Sequence, residues 1–498
     1  MTSLAALWWI FFFTAVGLCL GSFLNAVIYR LPRLNSLRHP RWSFCPSCKH
    51  AIHWYDNLPM LSFVLLGGRC RHCGVPISTR YLVIEASMAL IVLMLLDAFF
   101  IGHVRDGLSD SVFGLTDRLS DDWPIFAAHI VLFGCLLPMS AIDLEHYWID
   151  IRFTNLATIV GFVGHTLWTP RHSMDWTRPS DTTSVVSICA LIGLGIVWVW
   201  MICRPRAHED EPAIEEVEET PFPGGGVRAS RRPPPSLASP SRAFGWIAGP
   251  LLVLMVAALV LDEAFGIDLR QMGRGLLPLA FFFVLIVWES TVRRPADQQI
   301  VEAIHEERHG ARRMVLGEFM VLLPALAAGV IGYLLMTGNG ELPDRLSQAL
   351  HGTTRVWSWS PFRNWQPMYG FATAAGGYII AGALGWGVRI LFTLLFGKEA
   401  FGSGDIHLMA AAGCVAGWPV VVLGFFLTCA LALIGWLAAL PFKRSRALPL
   451  GPWLSLSFLT VVLFYKPIAT SPIVDRAVAT IEFLITGHAP RPLFRPQP

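Results

Sequence analysis

Long apolar runs that alternate with short polar stretches are the main pattern in this chain. A helix needs about 20 apolar residues to cross the hydrocarbon of a bilayer, and eleven runs approach that length. They lie near residues 4–29, 82–102, 125–142, 152–168, 184–203, 243–262, 275–292, 315–336, 370–396, 418–440 and 452–466. The pattern predicts an all-α polytopic membrane protein.

The composition of the chain supports that fold class. Hydrophobic residues make up 54% of the 498 residues and charged residues only 15%, which is too apolar for an ordinary soluble globule. The chain contains no Walker loop, Rossmann fingerprint, internal repeat or nucleic-acid signature, so we expect no nucleic-acid partner. The net charge of +3 says little by itself, whereas the distribution of charge along the chain is informative.

The positions of the basic residues predict the orientation of the chain in the membrane. Residues 30–80 contain a single acid, Asp56, and eight basic residues: Arg30, Arg33, Arg38, Arg41, Lys49, Arg69, Arg71 and Arg80. By the positive-inside rule this loop is cytoplasmic and the N-terminus lies outside. We expect the first apolar run to be a retained signal anchor and not a cleaved signal peptide, because no Lys or Arg precedes it.

Two aspartates lie where apolar runs meet polar stretches. Asp143 follows the third run, and Asp405 follows the ninth within Gly402-Ser403-Gly404-Asp405. Alternating the runs across the bilayer places both at the cytoplasmic face. An ionisable residue at a membrane boundary is costly unless it is paired or used, so the two are candidates for an acid-base pair. Alternatively, Asp143 ends a span in headgroup water and Asp405 caps a helix that begins near Ile406.

Four of the ten cysteines form two CxxC pairs in the basic loop. They are Cys45, Cys48, Cys70 and Cys73, and 21 residues separate the two pairs. Four thiolates with this spacing can bind zinc tetrahedrally, and a cytoplasmic location argues against disulfides. Such a zinc has no open coordination position and is structural; the alternative is two reduced, unligated pairs. We expect the nearby His50, His53 and His72 to be surface residues and not ligands of this zinc.

These residues resemble a known family. The stretch from Cys45-Pro-Ser-Cys48 through Trp54-Tyr-Asp-Asn-Leu-Pro59 to Ile77-Ser-Thr-Arg-Tyr81 closely resembles the N-terminal cytoplasmic domain of prepilin leader peptidases. Further motifs of that family are resembled, in the family's order, by Gly21-Ser-Phe-Leu-Asn, Ala141-Ile-Asp143, Gly402-Ser-Gly-Asp405 and Leu450-Gly-Pro-Trp453. The resemblance covers residues 15–168 and 385–466.

The resemblance implies a GxGD-type intramembrane aspartyl protease, a helical bundle with a small cytoplasmic zinc-knuckle loop. It implies an enzyme of the bacterial inner membrane that cleaves, at the cytoplasmic face, the leader of type IV prepilins or of type II secretion pseudopilins. It further implies methylation of the new N-terminus with S-adenosylmethionine, whose binding residues the sequence does not identify. Carried over by motif position, the catalytic pair is Asp143 and Asp405, the supporting residues are Gly402, Gly404 and His407, and the zinc set is Cys45, Cys48, Cys70 and Cys73.

Two positions depart from the family pattern. His407 stands where the family commonly has a lysine, two residues after the GxGD aspartate, and Ile149 stands where a proline is usual. A histidine makes any charge tuning of the aspartates pH-dependent. Asp150 is a rival acid, but it precedes the next apolar run, so we expect it to cap that helix.

The two aspartates are 262 residues apart, and an insertion at 169–368 accounts for the unusual separation. The predicted domains are a first span (1–29), the zinc-knuckle domain (30–80), the two parts of the peptidase core (81–168 and 369–466), the insertion, and a C-terminal tail (467–498). Inside the insertion, acidic and Pro/Gly-rich residues 204–242 predict a disordered linker. The extra spans either pack peripherally without a catalytic role or form a docking module for pilus or secretion machinery.

Two other functions remain open from sequence alone. A proton-coupled transporter can use the aspartates as relay sites, and a diverged, non-catalytic membrane scaffold can hold partners through its zinc knuckle and insertion. The presence of both carboxylates argues against a scaffold, which has no physical need for them.

Overall fold

The computed structural model describes residues 2–33, 42–102, 108, 114–168, 181–203, 242–265, 271–291, 311–337, 366–397, 401–442, 449–469, 471, 472 and 476. Most of the predicted linker (204–242) and of the predicted C-terminal tail (467–498) lies outside these residues. Within the described residues the regular structure is helical, and the β pairing consists of two isolated bridges, Phe44 with Ala51 and Arg69 with Pro76. The predicted all-α fold is confirmed.

Each of the eleven apolar runs forms a helix. The helices are α1 (Thr2–Arg30), α2 (Leu61–Leu65), α3 (Arg80–Leu96), α4 (Leu115–His146), α5 (Ile151–Leu167), α6 (Asp181–Cys203), α7 (Arg242–Phe265), α8 (Gln271–Ser290), α9 (Ala311–Thr337), α10 (Gln366–Phe396), α11 (Ser403–Ala416), α12 (Trp418–Ala439), α13 (Gly451–Leu463) and α14 (Tyr465–Ala469). In the described part of the chain, seven of them are long and apolar enough to cross a membrane: α1, α3, α4, α7, α9, α10 and α12. The protein is a multi-pass membrane protein.

Helix α11 is apolar, but no apolar run of spanning length corresponds to it in the sequence. It has 14 residues, or about 21 Å at 1.5 Å per residue, which is shorter than a usual span. From Ile406 to Ala416 its side chains are buried, apart from half-buried His407. Gly417, with φ of 94°, then turns the chain so tightly that α12 begins at the next residue.

The start of α13 shows that α11 traverses the bundle. The backbone N–H of Gly451, the first residue of α13, donates a hydrogen bond to Asp143 at the end of α4. Asp405, at the start of α11, lies on the same side, within Coulombic range of Asp143. A chain that leaves this side after Asp405 and returns at Gly451 needs two traversing helices, which are α11 and α12. Counting apolar runs finds only α12 in this interval and leaves α11 out.

The core of the bundle brings the two aspartate-bearing helices together. Helix α11 packs against α10, α5, α12 and α4, while α4 also packs against α1, α5 and α13. Helices α10 and α11 approach very closely, since a Cβ added to Gly377 would lie 1.9 Å from the carbonyl oxygen of Gly413. Small residues at such a crossing let two helix backbones touch, as is common between membrane helices. The crossing keeps the start of α11 beside the end of α4.

The inserted helices lie outside this core but are joined to it by buried charges. Helices α6 and α9 pack against each other and against α10, α7 packs on α1 and α3, and α8 packs on α12 and α13. Arg274 of α8 binds Asp97 at the end of α3 at 3.0 Å and also Asp262 of α7. On another side, Arg389 of α10 binds Glu318 of α9. Both arginines are less than 10% exposed, so each requires its acidic partners.

Candidate active site and metal site

Asp143 lies one turn before the end of α4, and its carboxylate points at the start of another helix. The chain leaves α4 at Tyr147, whose φ of 53° is left-handed and whose N–H donates to the Asp143 carbonyl at 2.9 Å. The Asp143 Oδ2 atom accepts the Gly451 N–H at 3.0 Å, and the residue is only 6% exposed. Because the first N–H groups of a helix have no partner inside it, α13 holds the carboxylate with its positive end.

Asp405 lies in the first turn of α11. Gly402 is the N-cap of that helix, and its N–H donates to the Asp405 carboxylate. Asp405 therefore does cap α11, in the reciprocal manner of a capping box, but the helix begins at Ser403 and not near Ile406. The cap leaves one oxygen of the Asp405 carboxylate unused, because Oδ1 is buried and has no hydrogen-bond partner among the described residues.

The structure brings the two predicted catalytic residues together. The charge of Asp143 acts directly on Asp405, although the two are far apart in the sequence. Ile149 packs beside both, since a Cβ added to Gly404 would lie 2.8 Å from the Ile149 Cβ and one added to Gly451 would lie 3.5 Å from the Ile149 Cδ1. Two neighbouring carboxylates in a partly dehydrated site are costly to ionise together, which is the setting that an acid-base pair requires.

The three predicted supporting residues differ in what the structure shows for them. A Cβ on Gly402 would lie 3.1 Å from the Asp405 Oδ2, and one on Gly404 would collide with Ile149, so a side chain at either position would crowd the aspartate. His407 is half-buried, two residues after Asp405 on the same helix. Residues separated by two positions do not share a helix face, so His407 stays a prediction with no contact to the pair.

Two acids near Asp143 have structural partners. Asp150 is the N-cap of α5, accepting the Arg152 N–H at 2.9 Å and both sides of its guanidinium group. Burial opposes ionisation of Asp150, but Arg152 outweighs it and holds the pKa of the carboxyl below its usual value. Glu145 forms an ion pair with Arg80 at the start of α3. The expected capping role of Asp150 is confirmed, and neither acid competes with Asp143 for Asp405.

Sequence reasoning missed the residues that support the GxGD loop. Arg389, only 2% exposed, donates to the carbonyl of Phe401, the residue before Gly402, and Glu318 accepts from two of its guanidinium nitrogens at 2.9 and 3.0 Å. Arg389 is the only charged residue of α10, and Glu318 the only acid of α9. An ionisable residue inside an apolar run is a functional candidate, and this rule could have found both.

A groove with mainly apolar walls adjoins Asp143. It lies between α3, α4, α8 and α13 and has a volume of about 120 Å³. Ser140, Leu144 and Glu145 of α4 line it on the aspartate side, and Phe282 and Ile286 of the inserted helix α8 line the opposite side. An inserted helix thus forms one wall of the cavity beside the candidate active site.

The four cysteines predicted to bind zinc form one cluster. Their sulfur atoms all lie within 4.8 Å of one another, and the Sγ atoms of Cys45 and Cys73 are 3.8 Å apart. A zinc ion with Zn–S bonds of about 2.3 Å holds tetrahedral sulfurs about 3.8 Å apart, so the cluster fits the ion. The N–H groups of Cys73 and His72 lower the pKa of the Cys70 thiol to about 7, whereas burial raises the pKa of the Cys45 thiol, so the thiols of the cluster do not ionise equally.

The fold and the site define a class of protein: a helical multi-pass membrane protein with two neighbouring aspartates at helix ends and a loop whose four cysteines could hold a metal ion. Residues 15–99 match the family model of the bacterial peptidase A24 N-terminal domain, and residues 339–437 match that of the type IV leader peptidase family. Over these two segments the chain is similar to the type IV leader peptidases. Asp143 lies between the two matched segments, and only the fold connects it with Asp405.

Individual relatives give the same result over parts of the chain. The prepilin leader peptidase/N-methyltransferase of Myxococcus xanthus is 38% identical over 150 residues, which are 30% of this chain and 38% of that protein. Those of Vibrio cholerae and Klebsiella pneumoniae are 48% identical over 86 residues and 49% identical over 94 residues. These cover 16% and 18% of this chain, and 34% and 40% of the two relatives. The chain thus spans about two fifths or less of each of these proteins, and no solved structure matches it.

Proposed function

We propose that this protein is a membrane aspartic endopeptidase that cleaves the leader peptide of type IV prepilins or of type II secretion pseudopilins. The observation that carries the proposal is the meeting of Asp143 and Asp405 at the starts of α13 and α11. The substrate class comes from the relatives, whose names describe prepilin leader peptidases.

The geometry supports hydrolysis by an acid-base pair. One carboxylate, ionised, takes a proton from a water as that water attacks the scissile carbonyl, while the other, protonated, donates to the leaving nitrogen. No nucleophilic Ser or Cys is required. The Gly451 N–H holds one oxygen of Asp143, and the Gly402 N–H holds one side of Asp405, so the remaining oxygens can face the substrate. Which aspartate carries the proton first is a property of the pair.

The four-cysteine loop has a structural role in this proposal. Cys45, Cys48, Cys70 and Cys73 would hold a zinc ion that stabilises the loop between α1 and α3. Four thiolate ligands leave zinc no position for water, so the hydrolytic step belongs to the aspartates.

The proposals for methylation and for location rest on the names of the relatives and on the charge of the cysteine loop. Their names include N-methyltransferase, so we propose that the chain also methylates the new N-terminus with S-adenosylmethionine. We place it in the bacterial inner membrane with the aspartate pair at the cytoplasmic face, because the loop from 30 to 80 is strongly basic.

The deciding experiment uses membranes that contain the full chain and a prepilin peptide with its leader. Mass spectrometry of the product reads cleavage from the new N-terminus and methylation from the added mass. We expect cleavage by the wild type, loss of cleavage in Asp143→Asn and in Asp405→Asn at normal protein levels, and retained cleavage in Asp150→Asn. A wild type that cleaves no leader would overturn the proposal and return the aspartates to a relay or a structural role.

A further inference from the structure

The peptide unit between Phe401 and Gly402 has a partner on each side, the buried Arg389 and the half-buried Asp405. Its carbonyl accepts a hydrogen bond from the Arg389 guanidinium, and its N–H donates to the carboxylate of Asp405. A peptide unit is planar and its C=O and N–H point in opposite directions. Anything that fixes the carbonyl therefore also fixes the N–H that orients Asp405.

Arg389 is itself fixed by the insertion. A guanidinium group stays charged in proteins, and burying it unpaired costs several kcal/mol. Glu318 of α9 meets this need with two hydrogen bonds to Arg389, and α9 packs along α10. The two residues belong to different parts of the sequence, one to the insertion and the other to the second part of the predicted core.

We infer that Glu318 is a positioning residue for Asp405, acting through Arg389 and the Phe401–Gly402 peptide unit. This inference rests on the proposed peptidase function and gives the insertion a role in it. Peripheral helices or a docking module would need no buried contact to the GxGD loop. The inserted helix α9 instead completes the support of the aspartate.

The test compares Glu318→Gln with a matched control from the same insertion. Asp262→Asn breaks a different ion pair, the one that joins the inserted helices α7 and α8 near Asp97 at the end of α3. We expect Glu318→Gln to lower kcat for leader cleavage by about 10- to 100-fold with little change in KM, since misplacing a catalytic group acts mainly on the chemical step. Asp262→Asn should keep the wild-type kcat, and Glu318→Asp, which retains the charge, should recover part of the loss.

A second measurement does not depend on activity. Hydrogen exchange of the segment containing the Gly402 amide should speed up in Glu318→Gln and in Arg389→Lys, but not in Asp262→Asn. Equal exchange and equal kcat in Glu318→Gln and wild type would overturn the inference. A wild type that cleaves no leader would contradict the proposed function. The hydrogen-exchange rates would still test whether Glu318 positions the Phe401–Gly402 peptide unit.

An independent observation concerns the three histidines of the cysteine loop. The ring nitrogens of His50, His53 and His72 lie within 4.8 Å of one another, and all three side chains are exposed. The His50 and His72 ring centroids are 3.5 Å apart, and His53 stacks on Tyr55 with centroids at 5.2 Å. The expected exposure of these residues is confirmed, but they form a cluster and not three separate surface side chains.

We propose that this cluster is a second metal site, separate from the four thiols. Imidazole nitrogens suit Zn²⁺, Ni²⁺ and Cu²⁺, and three such ligands at an exposed position leave room for water, so the ion would exchange readily. The nearby Asp56 is not available as a further ligand, because Arg71 holds its carboxylate at 2.6 and 2.8 Å. An ion here would join the first knuckle, through His50 and His53, to the second, through His72.

The test uses the full chain, purified without a histidine tag and loaded with one zinc per molecule. Titration with Ni²⁺ should show one site, which His72→Ala and His50→Ala weaken by about 10-fold or more, because losing even an outer-shell partner of a metal costs about that much affinity. The exposed His146, outside the cluster, provides the control, and His146→Ala should bind like the wild type. X-ray absorption should show nitrogen and oxygen but no sulfur around nickel. No binding, binding indifferent to His72, or sulfur in the nickel shell would each overturn the proposal.

Discussion

Asp143 accepts a hydrogen bond from the backbone of Gly451, a residue 308 positions later in the chain, at 3.0 Å. This contact fixes where α13 begins and which way the Asp143 carboxylate faces. It also fixes the direction of α11 and α12, because the chain must return to Asp143 between Asp405 and Gly451.

Adding a methyl group at Gly451 should damage the site directly. A Cβ there would lie 2.8 Å from the Asp143 Oδ2, too close for either group to remain in place. We expect Gly451→Ala to lower kcat by up to about 100-fold, as displacement of a catalytic group by an ångström can do. Gly387→Ala provides the control, because a Cβ at Gly387 meets nothing within 4 Å. Cleavage rates and thermal unfolding of both variants would check this, and an active Gly451→Ala would contradict the geometry.

Removing Arg274 should destabilise the bundle. Its side chain is 5% exposed and lies between Asp97 and Asp262, so Arg274→Ala leaves two acids without their shared cation. Breaking a buried pair by deleting one partner costs about 3–5 kcal/mol. The thermal midpoint in micelles measures the loss. Replacing the exposed Arg152, which is 70% exposed, should have a much smaller effect.

The cap of α5 should give a small acid-dependent contribution to stability. Asp150 has a folded pKa below its unfolded value, so its contribution is present above pH of about 3.9 and is lost as the pH falls through the folded pKa. We expect Asp150→Asn to unfold at a lower temperature than wild type at neutral pH, with the difference shrinking toward pH of about 3. Thermal scans from neutral to acid pH measure this difference. A gap that grows on acidification would contradict the ion pair with Arg152.

Removal of metal should loosen the loop between α1 and α3. If the four thiols hold a metal, chelation or Cys70→Ser opens the cluster, because folding and metal binding are coupled in such sites. We expect faster proteolysis between residues 42 and 80 with the membrane helices intact, and a zinc content that falls to zero. The exposed Cys19 of α1, outside the cluster, is the control, and Cys19→Ser should retain its metal. An unchanged digestion pattern in Cys70→Ser would contradict the structural role.

Much of this protein follows from its sequence because the information is local. The eleven apolar runs become helices because the bilayer's thickness and the cost of unpaired backbone groups leave few alternatives. The two CxxC pairs mark the metal cluster because four thiols at this spacing have one obvious common use, and Gly402-Ser403-Gly404-Asp405 marks the second aspartate. Asp150 is recognisable as a cap from its place before an apolar run.

Tertiary structure alone decided how these parts meet. Helix α11 is shorter than a spanning run, and only its burial and the return of the chain to Gly451 show that it traverses the bundle. The partners of the GxGD loop, Arg389 and Glu318, come from helices that no local pattern connects. Contacts between residues hundreds of positions apart depend on which helix faces pack, and each face is nearly uniformly apolar in a membrane protein. Periodicity therefore predicts the helices of this chain but not their neighbours.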